Sequence, residues 1–438
     1  MTEARRFDKS RELARRLRRV IPGGSHTYAK GDDQFPELAP GVLVRGLGCH
    51  VWDADGNEYI EYGMGLRAVT LGHAYPEVVD AVRASLPAGT NFTRPSVLEL
   101  EAAEAFLDVV GTADMVKFTK DGSTANTAAL KLARAVTGRE LVAICAEHPF
   151  FSYDDWFICT TTMDGGIPAK VIRDTVRFRY NDLQSARAMF DAHPGQISSV
   201  FLEPARIEEP APGFLKGLRE LCTERGALLV FDEMITGFRW HLGGAHQLYG
   251  VRPDLSTFGK AIANGFALSV LCGAREVMRR GSRERPQDDV FLLSTTHGAE
   301  SPALAAMIAT LAVYRRQPVI EHLHRQGERL RAGAREAARR HGVEKHFEPL
   351  GHACNLLFAT RDREGKPSQP CRTLFLQELI RRGVIAPSFV VSYSHSDGDI
   401  DRTIEAIDGA LSVYARALSE GAERFLVGPP SRTVFDRR

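Results

Sequence analysis

Apolar and polar positions change rhythm along the chain. Residues 51–60 alternate β-formers around Asp55-Gly56, which predicts a hairpin with a tight turn. From residue 97 helical and extended blocks take turns. Positions 97–110 have helical periodicity, and 115–119, 141–146, 199–202, 228–231 and 268–273 are short, mostly apolar segments that read as strands. Residues 127–135 and 212–225 predict helices between them, and another begins near Ser301. This alternation predicts an α/β layer structure around a mostly parallel sheet. Beyond residue 320 the composition shifts to a long charged helix over 322–341, short strands around 354–358, and helices over 374–382 and 400–418. At the other end, Leu13, Leu17 and Val20 recur at helical spacing among arginines, so 4–20 predicts a basic amphipathic helix. Its interspersed acids, Asp8 and Glu12, favour packing on its own protein over nucleic acid or membrane.

Composition narrows the class. The 438 residues suit one large and one smaller domain, with 44% hydrophobic and 25% charged residues typical of globular proteins. A net charge of +1 argues against a dedicated nucleic-acid binder. Seven cysteines without a C-x-x-C spacing fit reduced thiols in a cytoplasmic protein. No apolar run is long enough to span a bilayer, and the N-terminus lacks the apolar core of a secretory signal. There is no H-E-x-x-H, no cysteine ligand spacing and no G-x-G-x-x-G after the first strand, so neither a metal nor a dinucleotide is expected.

The chemistry gathers in one stretch. The apolar run 227–231 ends on Asp232-Glu233, and a second apolar segment ends on Gly259-Lys260. Open α/β sheets place ligands at the carboxyl ends of their strands. A carboxylate and a lysine facing one pocket are what pyridoxal 5'-phosphate requires: the acid keeps the pyridine nitrogen protonated and the amine forms the Schiff base. The turn Gly122-Ser123-Thr124, placed before a helix, offers free N–H groups and the positive end of the helix dipole to a phosphate.

The strings Phe231-Asp-Glu-Met-Ile-Thr-Gly-Phe-Arg239 and Thr257-Phe-Gly-Lys260 resemble the core signature of class III aminotransferases, pyridoxal-phosphate enzymes of fold type I. Within them the chain is most similar to glutamate-1-semialdehyde aminomutase-like proteins, from about Pro22 to about Asp401. The resemblance implies a large cofactor-binding domain over 75–315 and a smaller α+β domain from 1–74 and 316–438. It implies a homodimer with shared sites, in which Thr296, or Thr295 beside it, reaches the neighbouring subunit's cofactor phosphate. Phe150 would stack on the pyridine, with Met234 on the opposite face, and Glu203 would lie near the phenolic oxygen. Phe151 stands where relatives carry histidine. Lys30 occupies a position where relatives place an arginine for the substrate carboxylate, and lysine offers a point charge instead of a bidentate fork. Arg67, in the glycine-rich stretch 63–73, is the other expected anion binder. No acid stands near Pro387, where relatives carry a gating glutamate. These departures favour a transaminase using an amino donor and a small aldehyde or keto acceptor. The alternatives are an intramolecular aminomutase of the glutamate-1-semialdehyde 2,1-type and a non-catalytic cofactor binder, which would need neither Asp232 nor Lys260.

Overall fold

The computed structural model describes residues 6–148, 150–284 and 290–434. Ala4 and Arg5 of the expected N-terminal helix lie outside the described residues. Two compact units emerge, one from Met1–Tyr75 with Glu321–Val434, the other centred on Pro76–Ile320.

The second unit is built on seven strands: β1 (Met115–Thr119), β2 (Leu141–Cys145), β3 (Thr175–Phe178), β4 (Ile197–Leu202), β5 (Leu228–Asp232), β6 (Leu255–Phe258) and β7 (Ser269–Gly273). Their order is β1-β7-β6-β5-β4-β2-β3. Strands β3, β2, β4, β5 and β6 run parallel, and β7 is antiparallel to both β6 and β1. The sheet is therefore mostly parallel and mixed at one edge, the layout of a fold type I transferase.

Strand side chains alternate between faces. Leu229 and Phe231 of β5 join Val200, Leu202, Ala143 and Cys145 in a core packed under the helices Leu183–Ala192 and Phe214–Arg225. Val230 joins Val142, Ile144 and Phe201 in the opposite core, under the helix Gly122–Thr137. Asp232, two residues beyond Val230, therefore emerges on the face covered by that helix. The small side chains Ala125, Ala128, Ala129 and Ala133 let the helix sit close, and all are buried.

That helix starts at Gly122, five residues before the expected 127, and runs to Thr137. The cause is a cap: Asp121 accepts a hydrogen bond from the Thr124 backbone N–H at 2.8 Å and another from the Thr124 hydroxyl at 3.0 Å. The helix Val97–Val110 ends where expected, bounded by a Ser96/Glu99 capping box and by left-handed Gly111.

In the first unit, the strands Leu43–Leu47, His50–Asp53 and Glu58–Glu61 form an antiparallel meander, and Val384–Ile385 adds parallel to the third. The turn residue Asp55 has a second task. It accepts from the Lys9 and Ser10 backbone N–H groups at 2.9 and 2.8 Å and so holds the helix Asp8–Val20. Arg18 of that helix pairs with Asp32. Phe347, Phe358, Phe375 and Phe389 form an aromatic core, with ring centroids as close as 4.6 Å. Among the described residues no helix is long and apolar enough to cross a membrane.

Candidate active site

Asp232 ends β5 and is 2% exposed. Each carboxylate oxygen has one partner: Met234 N–H donates to Oδ1 at 2.8 Å and Asn126 Nδ2 donates to Oδ2 at 2.8 Å. Asn126 also donates to the Phe151 carbonyl at 2.7 Å and accepts from the Thr257 hydroxyl at 2.8 Å. One carboxamide thus ties the acid, strand β6 and the loop that carries Phe150. Burial pushes the Asp232 carboxyl up to about 6, although the Lys260 charge and the two hydrogen bonds hold it down.

Lys260 follows β6 after the single residue Gly259. The β5–β6 register pairs Asp232 with Thr257, three residues before it. Lys260 has φ 47°, a left-handed conformation that costs a side-chain-bearing residue about 1–2 kcal/mol. Strain of this kind persists where the surroundings over-determine the backbone. A Cβ on Gly259 would lie 2.5 Å from Ser269 Oγ and 2.6 Å from Met234 Sδ, and one on Gly122 would lie 2.9 Å from the same sulfur. Met234, 5% exposed, therefore packs between two glycines, one before the lysine and one opening the helix.

Ser123 is buried, and its hydroxyl accepts from the Tyr153 backbone N–H at 3.1 Å. Trp156 Nε1 donates to Thr127 Oγ1 at 2.8 Å, which further pins the 151–156 loop to the helix. Phe151 is buried, whereas Phe150 is 43% exposed and meets Phe157 edge-on at 5.7 Å. Glu203 follows β4, whose Leu202 pairs with Phe231, so it lies one strand over from Asp232. Its backbone N–H donates to His148 Nδ1 at 2.8 Å, and its carboxylate faces Arg206 at 3.9 Å.

Glu233 differs from its neighbour. It is fully buried and accepts from the Ala245 and His246 backbone N–H groups at 2.9 and 2.8 Å and from the Thr236 hydroxyl. His246 Nδ1 lies 2.9 Å from it as well. Those bonds commit the Glu233 carboxylate to the 233–246 loop.

Thr296 is exposed, and its carbonyl accepts from Asn91 Nδ2 at 2.9 Å. Thr295 lines a separate cavity with Glu99, Lys117 and Phe118. Lys30 and Arg67 belong to the other unit. Lys30 ends an exposed 3-10 turn. Arg67 donates from Nε to Asn355 Oδ1 at 2.7 Å and from Nη2 to Ser388 Oγ at 3.2 Å. It closes a left-handed turn in which Met64, Gly65, Leu66 and Arg67 have φ of 43°, 59°, 58° and 75°. Glu61 holds that turn by accepting the Met64 N–H at 2.7 Å.

The sequence pattern gives Asn126 and Thr257 no role of their own. The available signal was a lone carboxamide within an otherwise small, apolar helix face.

The donor set fits pyridoxal phosphate. A buried acid with one bond per oxygen has lone pairs left for a ring N–H. A lysine follows the adjacent strand, three residues beyond the register partner of that acid, and two glycines close on Met234 between them. The fold and this pairing define a pyridoxal-phosphate-dependent transferase of fold type I. The class-III aminotransferase family model matches residues 28–411, and the chain belongs to that family. It is 32% identical over 433 residues to a glutamate-1-semialdehyde 2,1-aminomutase of Desulforamulus reducens, covering 94% of this chain and 99% of that protein. Among solved structures it is similar to the PLP-bearing FumI protein of Sphingopyxis sp. MTA144, with TM-score 0.85, 30% identity and coverage of 94% and 98%. It is also similar to an omega-transaminase of Sphaerobacter thermophilus, with TM-score 0.83, 26% identity and coverage of 93% and 98%.

Proposed function

We propose that this aminotransferase moves an amino group from an amino donor to a small aldehyde or keto acceptor, with Lys260 and Asp232 as its catalytic pair. The observation that carries the reading is the strand register: Asp232 ends one strand, and Lys260 follows the adjacent parallel strand three residues beyond Thr257, the partner of Asp232. When bound, pyridoxal phosphate supplies an electron sink for the bond broken at the substrate carbon.

The chain's own residues do the rest. Lys260 Nζ anchors the cofactor and then moves the proton taken from the substrate carbon. Asp232 holds a positive charge on the ring nitrogen, and Asn126 and the Met234 N–H keep its carboxylate oriented. Gly122 and Ser123 at the helix start would hold the phosphate through backbone N–H groups, and Thr124, whose own N–H is given to Asp121, closes the turn. Phe150 and Met234 would cover the ring, and Glu203 would lie toward its phenolic oxygen. Thr296 serves the cofactor of a second copy in a homodimer, and Lys30 and Arg67 receive the anionic part of the substrate. The enzyme works in the cytoplasm, free of nucleic acid and membrane.

Lys260→Ala removes the visible absorption of the bound cofactor and abolishes turnover; a fully active variant refutes the assignment. The second reading, an intramolecular aminomutase, is favoured by the 32% identical relative over nearly its whole length. Ping-pong exchange with an external amino donor separates the two, because an aminomutase needs no second substrate.

A further inference from the structure

A second constellation lies in the unit formed by Met1–Tyr75 and Glu321–Val434, on the long helix Val319–Arg340. His324, Gly327 and Arg331 are three and four residues apart, so they share one helix face. All three meet the same short segment. A Cβ on Gly327 would sit 1.9 Å from the Ala353 carbonyl oxygen, so helix and turn touch backbone to backbone. Arg331 Nη2 donates to the Gly351 carbonyl at 2.6 Å. About two turns before Arg331, the His324 ring meets His352 edge-on, with centroids 5.0 Å apart and planes at 86°.

His352 in turn lies beside a thiol. Its Nδ1 is 3.7 Å from Cys354 Sγ. One nitrogen from each histidine and the cysteine sulfur all lie within 4.8 Å of one another. Tetrahedral zinc, with bonds of roughly 2.0 Å to nitrogen and 2.3 Å to sulfur, separates those two ligands by about 3.6 Å. The His352–Cys354 pair already stands at that separation. Cys354 is buried and the two histidines are half-buried, so the set has a dry sulfur end and a side open to water. Arg331, the nearest cation on the helix face, is paired with Glu328 at 3.0 Å.

We propose that His324, His352 and Cys354 bind one divalent transition-metal ion of the zinc class, with water in the fourth position. Two imidazoles and a thiolate are a donor set that selects such ions over magnesium or calcium. Binding releases the thiol proton and ties the helix to the 351–355 segment. Asn355, next to the thiol, accepts the hydrogen bond from Arg67, so the ion would also stiffen the support of that arginine. The cluster of Cys49, His50 and Asp399 is a weaker candidate. Its Asp399 is committed to the Ser396 capping box and to Arg402, and His50 Nδ1 lies 2.7 Å from Glu58.

The test uses untagged holoenzyme, treated with chelator, dialysed, and titrated with Co²⁺ and then Zn²⁺. The expected result is one ion per chain and a thiolate-to-cobalt charge-transfer band that zinc displaces, while the cofactor's visible absorption stays unchanged. Cys354→Ser removes the band. His324→Gln, on the half-exposed helix face, weakens binding beyond the roughly 10–100-fold that loss of an outer partner costs. The proposal is overturned by no charge-transfer band, by a band of wild-type strength in Cys354→Ser, or by a response confined to the cofactor absorption. If Cys354→Ser does not fold, undiminished affinity in His324→Gln overturns it alone.

Discussion

Replacing Asp232 with asparagine isolates a charge that folding strips of water. Burial raises the carboxyl from its ordinary 3.8 to about 6. At about 1.4 kcal/mol per unit, holding that carboxylate ionised costs the cofactor-free protein roughly 3 kcal/mol. The sign follows from proton counting. Between about pH 4 and 6 the folded chain keeps a proton that the unfolded chain has lost, so stability falls as pH rises through that window. Asparagine cannot accept from both the Met234 N–H and the Asn126 amide in their present orientation, and one lost hydrogen bond costs about 1 kcal/mol. The cofactor-free Asp232→Asn protein should therefore be less stable than the parent by about 1 kcal/mol near pH 4 and more stable by about 2 kcal/mol above pH 7. Urea unfolding of both proteins without cofactor, from about pH 4 to pH 8, reads the crossing directly. Two stability curves that stay parallel across that range would refute the argument that burial of the Asp232 charge outweighs its partners. With cofactor bound, the same variant should lose turnover by orders of magnitude, because asparagine cannot hold the ring nitrogen charged.

Other substitutions test neighbouring parts of the structure. Glu233→Ala strips four donors of their acceptor and should cost about 3–5 kcal/mol in urea unfolding; a midpoint equal to the parent's would show that the 233–246 loop does not depend on it. Gly259→Ala pushes a methyl against Met234 and Ser269, and should cost about 1–3 kcal/mol and slow cofactor loading, followed as the growth of visible absorption. Leu66→Gly relieves a left-handed leucine and should stabilise by about 1 kcal/mol; thermal unfolding at or below the parent temperature would count against strain at that turn.

Much of the large unit was legible because its signals are local. Unbroken apolar runs mark β2 and β5, shorter apolar groups mark β1 and β4 despite Lys117 and Ser198-Ser199, and a capping box and a terminal glycine bound the helix Val97–Val110. Edge strand β3 escaped notice because Thr175–Phe178 is only partly buried and mixes polar with apolar positions. The start of the helix at Gly122 was hidden by residues that are poor helix formers, and the carboxylate of Asp121 decides it. The sequence places Asp232 and Glu233 side by side without distinguishing them. Strand alternation and the partners supplied by Thr236, Ala245 and His246 give each its task. The left-handed run through Met64, Leu66 and Arg67 could not be read from composition, since side-chain-bearing residues avoid that region unless long-range contacts impose it.

Asn126 has one further consequence. A single amide joins the acid, the adjoining strand and the aromatic loop, so three parts of the chain that lie far apart in sequence cannot shift independently of one another.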